Sequence, residues 1–304
     1  MLSLKSGRKV AIIDGNKKKC IYLKEEATEE PEIETTRENR QSIFRKYLDM
    51  DKKLSHSEIE ILTSAYKNDE EVDGKLNRKY HLAMEYVDDS LKRYLNYGTS
   101  TSLFPIVEDE SFRIFISGLS GSGKSFFIAG FVKANKPKVK DAGIFLFSPV
   151  ENDESLAKIK NLIHINIADI EREMKGAEFT IEDIPEGSYV IFDDVESYPP
   201  HTAKRYLEFR DICLERGRHR KISTITVSHN ATNGHKTKAS IREAQYFCLF
   251  PKHNARDTKN LLKVYGGLEK NQIDEIMNMK TRWCFYRKSI PRYAVGEHSV
   301  ITFE

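Results

Sequence analysis

Phe112-Arg113-Ile114-Phe115-Ile116-Ser117-Gly118-Leu119-Ser120-Gly121-Ser122-Gly123-Lys124-Ser125 is a short apolar run that feeds a Gly-x-x-x-x-Gly-Lys-Ser loop. A helix-forming segment, about Lys124 to Asn135, follows, and Pro137 closes it. Strand, glycine loop and helix in that order make the spacing a P-loop, the Walker A motif. Consecutive backbone N–H groups wrap a β-phosphate only where little side chain intrudes, so Gly118, Ser120, Gly121, Ser122, Gly123, Lys124 and Ser125 are the expected nucleotide-binding residues. Lys124 reaches the β- and γ-phosphates, the Ser125 hydroxyl is placed for Mg²⁺, and the positive end of the helix adds its field.

A P-loop alone does not separate ATPase, GTPase and kinase, so the metal-side carboxylate decides more. Ser188-Tyr189-Val190-Ile191-Phe192-Asp193-Asp194-Val195-Glu196 carries an apolar run that reads as a strand buried on both faces of a parallel sheet, with acids at its C-terminal end where such sheets put ligands. Asp193 is expected to hold Mg²⁺ and Asp194 to orient or deprotonate the attacking water, with Glu196 as the reserve base. A third element follows. Ala203 to Arg216 has a helical apolar stripe ending at Gly217, then Arg218-His219-Arg220-Lys221, then a strand over 222–227 ending in Ser228-His229-Asn230. A polar side chain at the tip of a strand beside the acid-bearing one can touch both γ-phosphate and water; His229 is assigned that sensor role, Asn230 second.

The ordered set Gly118 to Ser125, Val190 to Asp194, Gly217-Arg218-His219 and the strand ending at His229 resembles the FtsK–HerA superfamily of DNA-pumping ATPases, and within it the poxvirus-type genome-packaging ATPases of nucleocytoplasmic large DNA viruses. Phe-Asp-Asp and Gly-Arg-His-Arg-Lys-Ile-Ser carry most of the match, which covers residues 104–250. The resemblance implies an α/β, RecA/FtsK-like P-loop NTPase core with a mainly parallel sheet. It also implies DNA-dependent ATP hydrolysis with Mg²⁺, coupled to translocation of double-stranded DNA into a capsid. Further implications are a homo-oligomeric ring, capsid or portal partners, and residence in host cytoplasm (a viral factory) or virion. Such rings need an arginine delivered to the neighbour's γ-phosphate, and Arg218 matches the family's position. The family usually ends its sensor strand in glutamine; here Ser228-His229-Asn230 stands instead, so protonation enters near neutral pH.

Other readings compete: a nucleotide-gated assembly or scaffolding protein with slow turnover, and a small-molecule or nucleotide kinase. The kinase is disfavoured by the second acid after Asp193 and by the lack of an obvious Arg-rich lid, GTPase by the lack of an Asn-Lys-x-Asp motif after a core strand.

The 304 residues suffice for one P-loop domain with an N-terminal extension. The net charge of +3 hides an asymmetry, because residues 201–304 hold twenty Lys/Arg against ten Asp/Glu while the first two hundred are net acidic. A basic C-terminal third suits a phosphate backbone as partner. Cys20, Cys213, Cys248 and Cys284 form no C-x-x-C pair, and no H-E-x-x-H occurs, so neither a disulfide framework nor a zinc site is signalled. No apolar stretch approaches the roughly eighteen residues of a membrane span, and the Val10 to Ile13 run is too short for a signal peptide, which predicts a reducing, cytosol-like setting.

The chain divides into a hairpin and acidic linker over 1–35, a helical region over 36–102, and the ATPase domain over 103–304. Lys9 to Leu23 reads as the hairpin, turning at Asp14-Gly15-Asn16. Glu25 to Glu38 reads as solvated linker, and Arg40 to Tyr97 as two or more helices ended by Gly98. A second buried strand is expected at Gly143 to Ser148, with Glu151 or Glu154 past it ranked below Asp194, and a fifth at Gln245 to Pro251. Helices follow over 257–279, and the tail from Arg282 to Val295 reads as a half-buried antiparallel pair with a basic outer face.

Overall fold

The computed structural model describes residues 1–24, 37–51, 53–97, 99–150, 153–173, 178–232 and 234–303. Most of the acidic run predicted as linker, together with Gly98 and Glu151, lies outside them.

The chain opens with β1 (Leu2–Ser3), β2 (Arg8–Ile13) and β3 (Asn16–Leu23). Asp14 and Gly15 both take positive φ, 50° and 68°, the geometry a two-residue hairpin requires. Three helices follow, α1 (Arg37–Met50), α2 (His56–Asn68) and α3 (Asn77–Arg93). Ser55 caps α2 in a box with Glu58, and Phe44, Leu48, Leu62, Ala83, Val87 and Leu91 bury a small core of their own. The helical reading of 36–102 stops at Arg93. Tyr94–Asn96 is a strand, β4, so Leu95, inside the stretch read above as helical, is a sheet residue. The physical reason is a better offer from elsewhere: β4 pairs with a strand at the far C-terminus, and backbone pairing outweighs a helix's last turn.

Strands and helices then follow in the order β5 (Leu103–Pro105), β6 (Arg113–Ser117), α4 (Lys124–Ala134), β7 (Ile144–Phe147), β8 (Leu162–His164), α5 (Ile167–Glu173), β9 (Tyr189–Asp193), α6 (Pro200–Arg216), β10 (Ser223–Ser228), α7 (His235–Glu243), β11 (Tyr246–Leu249), α8 (Ala255–Val264) and α9 (Lys270–Asn278). The chain closes with β12 (Cys284–Arg287), β13 (Arg292–Gly296) and β14 (Ser299–Phe303). Two sheets result. The small one runs β1-β3-β2-β5 and the large one β4-β14-β13-β12-β11-β6-β10-β9-β7-β8. From β11 to β8 all neighbours are parallel; from β11 to β4 all are antiparallel. The protein is therefore an α/β P-loop NTPase fold with a mainly parallel central sheet.

Continuous apolar runs in the central strands follow from burial on both faces. Ile114 and Ile116 of β6, Ile191 of β9 and Leu146 of β7 join Phe127 and Phe131 of α4 in one core. The alternate residues Phe192 and Phe147 face Tyr206 and Phe209 of α6, while Phe115 joins Leu261, Leu262 and Ile276 of α8 and α9. Val10, Ala11 and Ile21 of the hairpin enter the same core as α4. The C-terminal aromatics Trp283, Phe285, Tyr286 and Tyr293 are buried in these cores, and the pair predicted there is extended by a third strand, β14.

Candidate functional site

Register builds the site before any side chain does. β10 lies between β6 and β9, pairing Ser228 with Ser117, where the P-loop begins, and Val227 with Asp193. The loop, the acid pair and the polar tip of β10 therefore meet at one edge of the sheet, the C-terminal edge of its parallel strands.

In the loop, a Cβ at Gly118 would lie 2.7 Å from the Phe250 ring and 2.6 Å from Ser122 Oγ, so no other residue fits. Gly123 has φ +99° and starts α4 directly. Ser122 is buried and its Oγ has no hydrogen-bond partner among the described residues, whereas Ser120 and Gly121 are exposed. Lys124 is buried, 8% exposed, and its Nζ donates to the loop's own carbonyls, Gly118 O at 2.8 Å and Leu119 O at 3.1 Å. Burial holds its ammonium below the usual lysine range against the pull of Asp193 and Asp194.

His229, the first residue past β10, bridges the two motifs. Its Nδ1 lies 3.1 Å from Lys124 Nζ, and its Nε2 lies 2.8 Å from Asp194 Oδ2. Asp194 takes φ +55°, a left-handed conformation that aspartate tolerates better than most residues and that turns its carboxylate back across the strand ends. Burial and the neighbouring Asp194 push the Asp193 carboxyl up to about 6. Asn230 is exposed, and its backbone N–H donates to Ser228 Oγ at 3.3 Å.

Glu196 goes elsewhere. The Ser228 hydroxyl donates to Glu196 Oε1, and Lys236 Nζ reaches the Glu196 backbone carbonyl at 3.3 Å. Its other oxygen, Oε2, is buried and unpaired among the described residues. Asp194 thus shares contacts with the Lys124 and His229 cluster, whereas Glu196 is tied to the Ser228 hydroxyl.

One residue escaped the sequence reading. Past β7, the positions ranked there were Glu151, outside the described residues, and Glu154, which is exposed. It is Asp153 that meets the loop, accepting a hydrogen bond from the Ser125 hydroxyl. Its Oδ1 also accepts from the Ser155 and Leu156 amides at 2.7 and 3.0 Å. Burial works to raise its pKa, and these hydrogen bonds outweigh burial and hold it below the usual carboxylate range. The available signal was Asp153-Glu154-Ser155, an acid poised to cap the short 3-10 turn Leu156–Lys158.

Arg218 is not brought to this cluster. It lines a hollow of about 230 Å³ with Asp109, Glu110, Arg113 and Gln245, beside the first residue of β6 and so at the opposite edge of the sheet. Arg216 pairs with Glu182 at 3.4 Å and Arg220 donates to Ile184 O at 2.9 Å. Arg218 is exposed, and its guanidinium makes no hydrogen bond or ion pair among the described residues, its backbone carbonyl alone accepting from the Lys221 N–H at 3.1 Å. Among those residues no helix is long and apolar enough to cross a membrane.

No protein-family model matches the chain. It is 32% identical over 192 residues, 62% of its own length and 76% of the relative's, to the uncharacterized protein V3 of Sputnik virophage. Among solved structures it is similar to the genome packaging NTPase B204 of Sulfolobus turreted icosahedral virus 2 in complex with AMPPCP. That likeness has a TM-score of 0.36 and 14% identity, covering 59% of this chain and 94% of that one. It is also similar to the cytoplasmic domain of the type VII secretion ATPase EccC of Thermomonospora curvata, with a TM-score of 0.41 and 12% identity over 64% of this chain and 27% of that one.

Proposed function

The chain belongs to the same family as protein V3 of Sputnik virophage, and from that premise and the site geometry we propose that it is an ATP-hydrolysing motor that moves double-stranded DNA during viral genome packaging. The observation that carries the reading is the chain of contacts from Lys124 through His229 to Asp194. It joins the group that meets the β/γ-phosphates to the group that acts on water, so occupancy of the phosphate site and activation of the nucleophile share one side chain.

Ser125 and Asp193 would hold Mg²⁺. Both are oxygen donors, as that ion prefers, and Asp193, buried and beside Asp194, keeps its proton to about pH 6, a cost of holding charge there that a divalent cation would relieve. When bound, the ion neutralises charge on the β- and γ-phosphates. Asp194 orients the attacking water and accepts its proton, while His229 fixes the carboxylate and senses the γ-phosphate. Asp153 orients the Ser125 hydroxyl. Residues 103–304 would form the motor domain, with 36–102 as an appended module. The DNA and ring assignments rest on the motif resemblance of residues 104–250 and on the basic C-terminal third. A place in the viral factory or virion follows from that role.

The test is ATP hydrolysis by the purified full chain with Mg²⁺, with and without duplex DNA. The expected result is turnover that rises several-fold with DNA and is lost in Lys124→Ala. Turnover equal in wild type and Lys124→Ala sinks the ATPase reading; slow turnover indifferent to DNA replaces the motor with the assembly-protein reading.

A further inference from the structure

A cavity of about 550 Å³, within the roughly 300–1,000 Å³ typical of small-molecule sites, opens beside the first turn of α4. Its walls include Phe126, Lys252, Lys280, Arg282, Trp283 and Glu297. Phe126 directly follows Ser125, yet its side chain is turned outward and 53% exposed on a helix whose next two residues, Phe127 and Ile128, are fully buried. The ring is not bare: the Arg282 guanidinium carbon stands 5.5 Å from its centroid. Lys252 lies two residues past Phe250, the ring that packs on Gly118 and Gly123, so the cavity wall is continuous with the phosphate loop.

Direction along the P-loop gives the cavity its meaning. Lys124 reaches the β/γ end of a triphosphate, next to His229 and Asp194, while the loop backbone running into the helix cradles the α/β end. The nucleoside must therefore leave away from the acid pair. Phe126, one residue into the helix after Ser125, stands on that exit.

We propose that this cavity takes the nucleoside half of the triphosphate, with a purine ring laid on the Phe126 and Arg282 stack, and that it grips the base by its face without reading its edge. The proposal rests on the P-loop reading above and deepens it.

Several polar groups on the wall are held by hydrogen bonds of their own. Glu297 accepts from Arg282 with both oxygens, Oε1 from Nε at 2.6 Å and Oε2 from the backbone N–H at 2.8 Å. The Thr281 hydroxyl donates to Trp283 O at 2.6 Å and accepts from the Glu297 N–H at 2.9 Å, and His298 Nδ1 is spent on Thr101 O at 2.7 Å. Lys252 and Lys280, exposed and unpaired among the described residues, offer donors alone, and the exposed hydroxyls of Thr99 and Ser102 both donate and accept, so they serve either base. Adenine is set apart by the amine at C6, which needs an acceptor, where guanine carries O6, which lysine serves; both purines offer N7 to a lysine. A site built to hydrogen-bond one base edge discriminates by about 10⁴ or more, and one that stacks does not.

Isothermal titration calorimetry on the full chain, with ADP, GDP and inorganic pyrophosphate as probes, tests this. ADP and GDP should bind within tenfold of each other. Phe126→Leu should weaken both by tenfold or more and leave pyrophosphate within twofold, and Phe126→Tyr should restore them. Arg282→Ala should weaken both nucleosides with pyrophosphate again unmoved. Unchanged ADP affinity in Phe126→Leu, or a pyrophosphate loss equal to the ADP loss, overturns the cavity assignment; a preference above tenfold for either purine overturns the edge argument. Wild-type protein that binds pyrophosphate but gains nothing from the nucleoside also overturns the proposal while leaving the P-loop reading standing. Binding of neither ADP nor pyrophosphate would fell both together.

Discussion

The Nε2 of His229 stands 2.8 Å from Oδ2 of Asp194, across the gap between the tips of β10 and β9. The same ring meets Lys124 with its other nitrogen at 3.1 Å. An imidazole held this way carries a proton between two partners whose needs are opposite, since the carboxylate accepts and the ammonium donates.

Replacing His229 should separate chemistry from binding. In His229→Ala we expect kcat to fall by about 10²- to 10³-fold, the range a positioned acid–base group supplies, with nucleotide affinity within a few-fold of wild type. His229→Gln, which keeps a donor and an acceptor, should retain more turnover than the alanine variant. Steady-state kinetics beside equilibrium nucleotide binding checks this, and equal losses in kcat and affinity would make His229 a binding residue.

Asp194→Asn should bind Mg·ATP and fail to turn over. Asparagine tolerates the left-handed φ of +55° that position 194 adopts, so the fold should survive the change. Glu196→Gln, tied to Ser228 instead of the Lys124 cluster, should be the milder of the two. If Glu196→Gln is inactive and Asp194→Asn active, the base assignment moves two residues along.

Asp193 should weigh on stability in a definite direction. Its carboxyl titrates near 6 in the folded chain and near 3.8 unfolded, so the native state binds more protons between those values and loses stability as pH rises through them. Above pH 6 the full cost, on the order of 2 to 3 kcal/mol, is present. With chelator present, Asp193→Asn should raise the melting temperature at pH 8 by several degrees, and the gain should shrink toward pH 4. A gain that is constant with pH would show that charge is not its source.

Arg218 faces the sheet edge opposite the P-loop, so any action on phosphate must be on a neighbour's. Its guanidinium makes no ion pair or hydrogen bond among the described residues, whereas Arg216 pairs with Glu182 and Arg220 donates to the Ile184 carbonyl. Mixing Arg218→Ala with Lys124→Ala protein should recover ATP hydrolysis that neither has alone, because an arginine supplied in trans is worth about 10³- to 10⁵-fold where such fingers operate. No recovery, with a monomeric protein in the presence of ATP and DNA, would count against the ring.

The strands, the glycine loop, the acid pair and the polar tip of β10 were legible in the residues because each is a local pattern. A buried parallel strand must be continuously apolar, a phosphate loop must lack side chains, and a two-residue turn such as Asp14-Gly15 must accept positive φ. By itself the sequence thus determined the P-loop architecture and named nearly every member of the cluster. It could not determine which groups meet, since that depends on pairing between segments far apart in the chain. Register across β6, β10 and β9 turned His229 toward both Lys124 and Asp194, drew Glu196 to Ser228 and carried Arg218 to the far edge, and the pairing of β7 with β9 brought Asp153 instead of Glu154 to Ser125. Only the tertiary structure converted residues 94–96 from helix to strand as well, because their partner, β14, lies some two hundred residues away and no local propensity can announce it.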